Sequence, residues 1–199
     1  SGVDEVWHCA AKLSFVEEDR NECLQSNVQG TLALMNKLRD TGVKFFYVST
    51  AYVNGGSIKD VYEKDLLAGC QRNGYEHSKF VAESCVRSLC GNWCIVPTIL
   101  RPSIVVGDSS SGEISGLNGF YNLVCFFKSL NGFFDRTKEF LFPVNHNSTL
   151  NLVSIDNVLK MMSLIGDEPI MRGKTYHIVN STPPKLINVL HNGFEFEKI

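Results

Sequence analysis

Apolar runs of strand length alternate along this chain with segments of helical period, and that alternation leaves few folds open. Residues 4–9, 43–49, 94–100 and 175–179 read as strands. The run Lys44-Phe45-Phe46-Tyr47-Val48 is apolar almost throughout, as a strand covered on both faces must be. From Glu17 to Asp40, Leu24, Val28, Leu32, Met35 and Leu38 recur at steps of three and four, and Gly42 supplies the stop, which predicts one long helix. Further helices are predicted over Tyr75–Cys90, broken by Gly91-Asn92, and over 155–165. Pro97 is out of place inside a sheet strand. The pattern predicts an α/β fold, a parallel sheet with helices on both faces.

The chemistry concentrates at Tyr75-Glu76-His77-Ser78-Lys79, which on a helix sets a phenol and an ammonium one turn apart on one face. A free phenol titrates near ~10, so proton transfer near neutrality needs a shift of about three units, or ~4 kcal/mol. A lysine cation ~4 Å away contributes about that much at an effective dielectric of ~20. The spacing therefore predicts that Lys79 lowers the Tyr75 phenol. Taken alone, it also fits an exposed surface pair. Upstream, the strand at 43–49 ends in the hydroxyls of Ser49 and Thr50.

These pieces resemble the short-chain dehydrogenase/reductase family in its extended branch, where a Ser or Thr at a strand end precedes a Tyr-x-x-x-Lys helix. Val6-Trp7-His8-Cys9-Ala10-Ala11 is similar to that branch's fourth strand, and Asn27-Val28-Gln29-Gly30-Thr31 to the helix segment carrying its catalytic asparagine. Leu100-Arg101-Pro102-Ser103-Ile104-Val105-Val106-Gly107 resembles the strand-to-loop junction that faces the nicotinamide, and Asn151-Leu152-Val153-Ser154-Ile155-Asp156-Asn157-Val158 is a later echo. The resemblance implies a Rossmann-like doubly wound sheet with a small substrate-binding subdomain, and NADP(H) or NAD(H) as cofactor. It implies a catalytic set of Thr50, Tyr75, Lys79 and Asn27, with Asn27 holding a water that relays protons to Lys79. It places Ala10, Ala11, Ser49, Tyr75, Lys79, Pro102, Ser103, Ile104 and Val105 against the cofactor.

Within the branch, Ser49-Thr50-Ala51-Tyr52-Val53-Asn54-Gly55, His8-Cys9-Ala10-Ala11 and Arg101-Pro102-Ser103-Ile104-Val105 are most similar to fatty acyl-CoA reductases and thioester reductase domains. The activity so implied is NAD(P)H-dependent reduction of an acyl thioester, bound to CoA or to a carrier protein, to an aldehyde or alcohol. The alternatives are a branch member acting on a nucleotide sugar or sterol-like substrate, and a non-catalytic NAD(P)-binding module or redox sensor. Phe120, Phe126, Phe127, Phe133, Phe134, Phe140 and Phe142 suit an apolar acyl tunnel or, equally, an ordinary subdomain core. A homo-oligomer or a carrier-protein partner is compatible with this reading.

The glycine-rich turn that holds a pyrophosphate after a first strand has no counterpart here. Gly112-Glu113-Ile114-Ser115-Gly116-Leu117-Asn118-Gly119 approaches a related fingerprint without matching it and reads as a pocket loop. The expectation is a chain that starts at the fourth strand of the fold, with ~70 to 100 residues upstream carrying three strands and their crossovers, and ends in an interrupted helix. The strand at 4–9 should then present Val6 and Trp7 on an open edge. The expected organisation is 1–107 for the catalytic sheet, 108–150 for a substrate-binding insertion, 151–180 for the return to the sheet and 181–199 for a substrate-side segment.

With 44% hydrophobic and 20% charged residues, 199 residues bury one good core. A net charge of −2 gives no electrostatic footprint for nucleic acid or anionic membrane. No apolar stretch approaches the ~20 residues of a membrane helix, and Ser1-Gly2-Val3-Asp4 lacks a signal-peptide pattern. The seven cysteines lack a Cys-x-x-Cys spacing, so no metal site is expected, and reduced, mostly buried thiols of a cytoplasmic protein are. His8 reads as a satisfied buried histidine, His77 as solvent-facing, and Arg101 as a structural ion-pair or carbonyl ligand.

Overall fold

The computed structural model describes residues 2–57, 60–114, 116, 119–122, 124–125, 145 and 147–194, and the side chains of all of these except 191–194. In chain order the elements are β1 (Glu5–His8), α1 (Arg20–Leu24), α2 (Gly30–Leu38), β2 (Lys44–Val48), α3 (Gly74–Asn92), β3 (Pro97–Pro102), β4 (Ile104–Val106), β5 (Leu152–Ser154), α4 (Ile155–Asp167), β6 (Thr175–Ile178) and α5 (Leu186–Phe194). They form two compact units, Ser1–Ser103 with Asn157–Ile178, and Ile104–Asp156 with Val179–Ile199.

The first unit is built on a parallel sheet in the order β1-β2-β3-β6. Phe45, Phe46 and Tyr47 of β2 are each 1% exposed, because the sheet is covered on both faces. On one side Phe45 and Tyr47 join Met35, Ala82, Val86, Cys90, Ile95 and Ile99 in the main core. On the other, Trp7 stacks on Phe46 with ring centroids 3.9 Å apart. A methyl group at Gly166 of α4 would come within 2.9 Å of the Trp7 ring, so glycine there lets the helix close on the indole. β1 is an outer strand of this sheet, as expected, but Val6 packs on the core and Trp7 is stacked, which corrects the expectation that both lack neighbours.

Two elements differ from the sequence reading. The long helix is interrupted: a 3-10 turn at Glu17–Asp19 leads into α1, and a π-helical turn at Gln25–Gln29 separates α1 from α2. Hydrophobic period does not register such a turn, since the apolar stripe runs through it. The third strand begins at Pro97, where a missing N–H costs least, and runs on to Pro102. Cys94, with φ of 54°, makes the turn into it.

Within the connection from β2 to α3, Asn54 and Gly55 are pinned against 65–70. Asn54, 2% exposed, donates to the Asp65 carbonyl at 3.2 Å and accepts from Leu67 N at 2.6 Å. Gly55 has φ of 54°, and a Cβ there would lie 1.9 Å from the Cys70 carbonyl oxygen, so only glycine fits.

In the second unit β4 and β5 pair in parallel, Ile104 opposite Leu152. An open cavity of about 400 Å³ is lined by Val106, Phe120, Tyr121, Leu152, Pro184, Asn188 and Val189. The other phenylalanines assigned to an acyl tunnel, much of the 108–150 insertion and the chain's last five residues lie outside the described residues.

Candidate active site

Thr50 leaves β2 in an extended conformation and opens the 3-10 turn Ala51–Asn54, accepting from Tyr52 N at 3.3 Å. Asn73 caps α3 by accepting from Glu76 N at 2.9 Å, which fixes where the helix starts and so where Tyr75 and Lys79 stand. Gly74 lets that first turn lie against Arg20 of α1, since a Cβ there would sit 3.0 Å from the Arg20 Cα.

The Tyr75 phenol and the Thr50 hydroxyl interact electrostatically. Burial pushes the phenol up to about 12, and the Thr50 hydroxyl pulls in the other direction. This corrects the direction expected from the one-turn spacing. Lys79, 2% exposed, donates to the Val48 carbonyl at 2.7 Å and lies 4.6 Å from the centre of the Tyr47 ring, and it is not among the groups that shift Tyr75. Burial lowers Lys79 to about 8, opposed by the negative charge of Glu83.

Asn27 sits in the π turn, 1% exposed. It accepts from Lys12 N at 2.7 Å and donates to the Lys12 carbonyl at 2.9 Å and to Ser78 Oγ at 2.8 Å. Its carbonyl accepts from Thr31 Oγ1 at 2.6 Å. Asn27 thus bonds to Lys12, Ser78 and Thr31, and its side chain locks the loop after β1 to α3. These bonds give Asn27 a positioning role in the fold.

His8 Nε2 lies 2.8 Å from Thr31 Oγ1. The Thr31 proton goes to Asn27, so the imidazole N–H is the donor, which fixes the tautomer. His8 is 9% exposed and its pKa is lowered, by burial first and by Lys79 second. Ala10 and Ala11 are exposed on the loop that Asn27 clamps. Ser49, Pro102 and Ser103 are buried at the sheet end, while Ile104 and Val105 belong to β4 in the second unit. Phe15 meets Tyr75 edge-on at 6.1 Å.

Arg101, 0% exposed, reaches Glu83 at 2.7 and 3.2 Å, the Asp65 carbonyl at 2.7 Å and His177 Nε2 at 3.2 Å. It is the structural ion-pair and carbonyl ligand that the sequence led us to expect. Arg87 also reaches Glu83, at 2.9 Å. Sequence reasoning missed Glu83, although Lys79, Glu83 and Arg87 follow one another at four-residue steps. Tyr47, Asn54 and Ser78 carried no sequence signal beyond their residue types.

The cysteines are less buried than expected: Cys9, Cys94 and Cys125 are exposed, the first two because they fall where strand gives way to loop or turn. Among the described residues no disulfide forms, no group of three His, Cys, Asp or Glu stands ready for a metal, and no helix is long and apolar enough to cross a membrane.

The cofactor that such a set serves is a nicotinamide dinucleotide. The residues fit its nicotinamide end: Ser103 Oγ, at the sheet's C-terminal end, is buried with no hydrogen-bond partner among the described residues, a polar atom suited to a carboxamide. The loop after Gly107 does not fit its phosphates. The Asp108 carboxylate already accepts from Ser110 N and Ser111 N, both at 2.9 Å, so the backbone donors are taken by an anion of the chain itself.

A parallel sheet ending in Ser49-Thr50, followed by a Tyr75-x-x-x-Lys79 helix, defines an extended short-chain dehydrogenase/reductase. Within that class the chain belongs to the NAD-binding male sterility protein family, whose model matches residues 1–162. Over 110 residues it is 37% identical to dTDP-D-glucose 4,6-dehydratase of Mus musculus, a match covering 53% of this chain and 30% of that protein. Among solved structures it is similar to the terminal R domain from the myxalamid PKS-NRPS biosynthetic pathway, with a TM-score of 0.78 and 26% identity over 94% of this chain and 46% of that one. It also shares its fold with a thiolation-reductase di-domain from an archaeal non-ribosomal peptide synthetase, with a TM-score of 0.72 and 19% identity over 98% of this chain and 54% of that one. The chain thus spans about a third to a half of the length of these relatives.

Proposed function

We propose that this chain is the nicotinamide-side part of an NAD(P)H-dependent reductase of acyl thioesters, carried on CoA or on a carrier protein. The observation that carries the reading is Thr50 at the end of β2 acting on the Tyr75 phenol at the start of α3, with Lys79 buried one turn further along that helix. The nicotinamide supplies the hydride when bound. Thr50 and Tyr75 hold the developing oxyanion, and the phenol, kept protonated by burial, donates the proton. Lys79 provides a donor for the nicotinamide ribose. Ser49, Pro102, Ser103 and the Ala10-Ala11 loop form the wall that the first unit turns toward the cofactor. The apolar cavity at Phe120 and Tyr121 has the chemistry for an alkyl chain.

The preference for a thioester rests on the sequence resemblance to fatty acyl-CoA and thioester reductases, with which the male sterility family match and the likeness to a PKS-NRPS terminal R domain agree. The dehydratase relative favours a second reading, an oxidoreductase of nucleotide sugars. Full-length protein incubated with NADPH and a series of acyl-CoAs, against nucleotide-sugar and sterol substrates, separates the two by mass spectrometry of the product. Thioester-dependent formation of aldehyde or alcohol is expected. Turnover of nucleotide sugars or sterols alone would overturn the reading.

A further inference from the structure

A buried lysine ammonium requires a partner for its charge, and in most proteins that partner is a carboxylate. Lys79 is 2% exposed, and the groups that face it can be named element by element. From β1 comes His8 and from the loop after it Cys9, from β2 the Tyr47 ring and the Val48 carbonyl, and from its own helix Glu83. Glu83 is the carboxylate of this set, yet it is engaged by Arg101 at 2.7 Å and by Arg87 at 2.9 Å. His8 donates its Nε2 proton to Thr31 and brings no negative charge. The contacts left are one carbonyl at 2.7 Å and the face of an aromatic ring at 4.6 Å, within the range of a cation–π interaction.

We infer that the ring face of Tyr47 holds the Lys79 ammonium and keeps it protonated, which makes Tyr47 a positioning residue for the catalytic set. The ring is itself immobile: Tyr47 is 1% exposed, pairs with His8 and Ile99 in the sheet register, and belongs to the main core. Its hydroxyl lies near Thr31, whose proton goes to Asn27, and makes no hydrogen bond of good geometry among the described residues. The ring, and not the hydroxyl, therefore carries the role.

The test replaces Tyr47 in the intact protein by Phe and then by Phe rings carrying one, two and five fluorines, which keep the shape while draining the negative face. Lys79 is titrated by carbon-13 NMR of its side chain, assigned with Lys79→Met. Tyr47→Phe is expected to titrate as the unsubstituted protein does, and the fluorinated series to lower the Lys79 midpoint stepwise, by roughly one unit in all. The alkaline limb of the pH–rate profile should move down by the same amount while KM holds. A flat series, or a Tyr47→Phe shift as large as that of the fluorinated rings, overturns the inference. The NMR arm needs no substrate, so a stepwise shift without thioester reduction would sustain this inference while sinking the proposed function.

Discussion

Asn27 on the π turn and Ser78 on α3 are joined by a hydrogen bond of 2.8 Å, and through it the helix bearing Tyr75 and Lys79 is tied to the loop that follows β1. The same side chain satisfies both the N–H and the carbonyl of Lys12. Asn27→Ala removes all three bonds at a 1% exposed position and leaves their partners without it. A loss of about 2–3 kcal/mol in urea denaturation is expected. Asn27→Asp, which cannot donate to Lys12 O or Ser78, should be destabilising too. Wild-type stability in both variants would show that the clamp contributes little.

Tyr75→Phe removes the proposed proton donor and little else. Turnover of the full-length protein should fall by at least ~10²-fold with the melting temperature almost unchanged. Retention of near-normal turnover would take Tyr75 out of the role assigned to it.

In the proposed mechanism Thr50 is one of two oxyanion donors, so Thr50→Ala should cost less turnover than Tyr75→Phe, and Thr50→Ser should be nearly silent. Steady-state kinetics of the three variants check the order. A reversed order would make the hydroxyl, and not the phenol, the dominant group.

Lys79 yields a pH dependence of definite sign. Its pKa in the folded chain is about 8, against an ordinary 10.5, so between these values the unfolded chain binds more protons. Its contribution to stability is therefore full above 10.5 and is lost as pH falls through 8. Between about pH 8 and 10, before the tyrosines ionise, the wild type should gain stability relative to Lys79→Met as pH rises. Parallel curves for the two proteins in chemical denaturation would contradict the depressed value.

Glu83 anchors Arg101 and Arg87 in the interior. Glu83→Gln leaves the 0% exposed guanidinium of Arg101 without its counter-charge, and a loss of about 3 kcal/mol or more is expected. Thermal unfolding that differs from wild type by only a degree or two would mean that the Asp65 carbonyl and His177 suffice.

The sequence by itself determined the sheet and its order of elements, because apolar runs and helical periods are local properties that survive without knowledge of contacts. It also placed Thr50 at a strand end and Tyr75 and Lys79 one turn apart, since spacing on a helix fixes a shared face. Only the tertiary structure decided what each group does there. The π turn at Asn27 arises where three long-range bonds outweigh regular helix, and Lys79 turned toward Val48 and Tyr47 because β2 passes beneath it. The direction of the Tyr75 shift followed from burial, a sum over many neighbours that one-turn spacing cannot report.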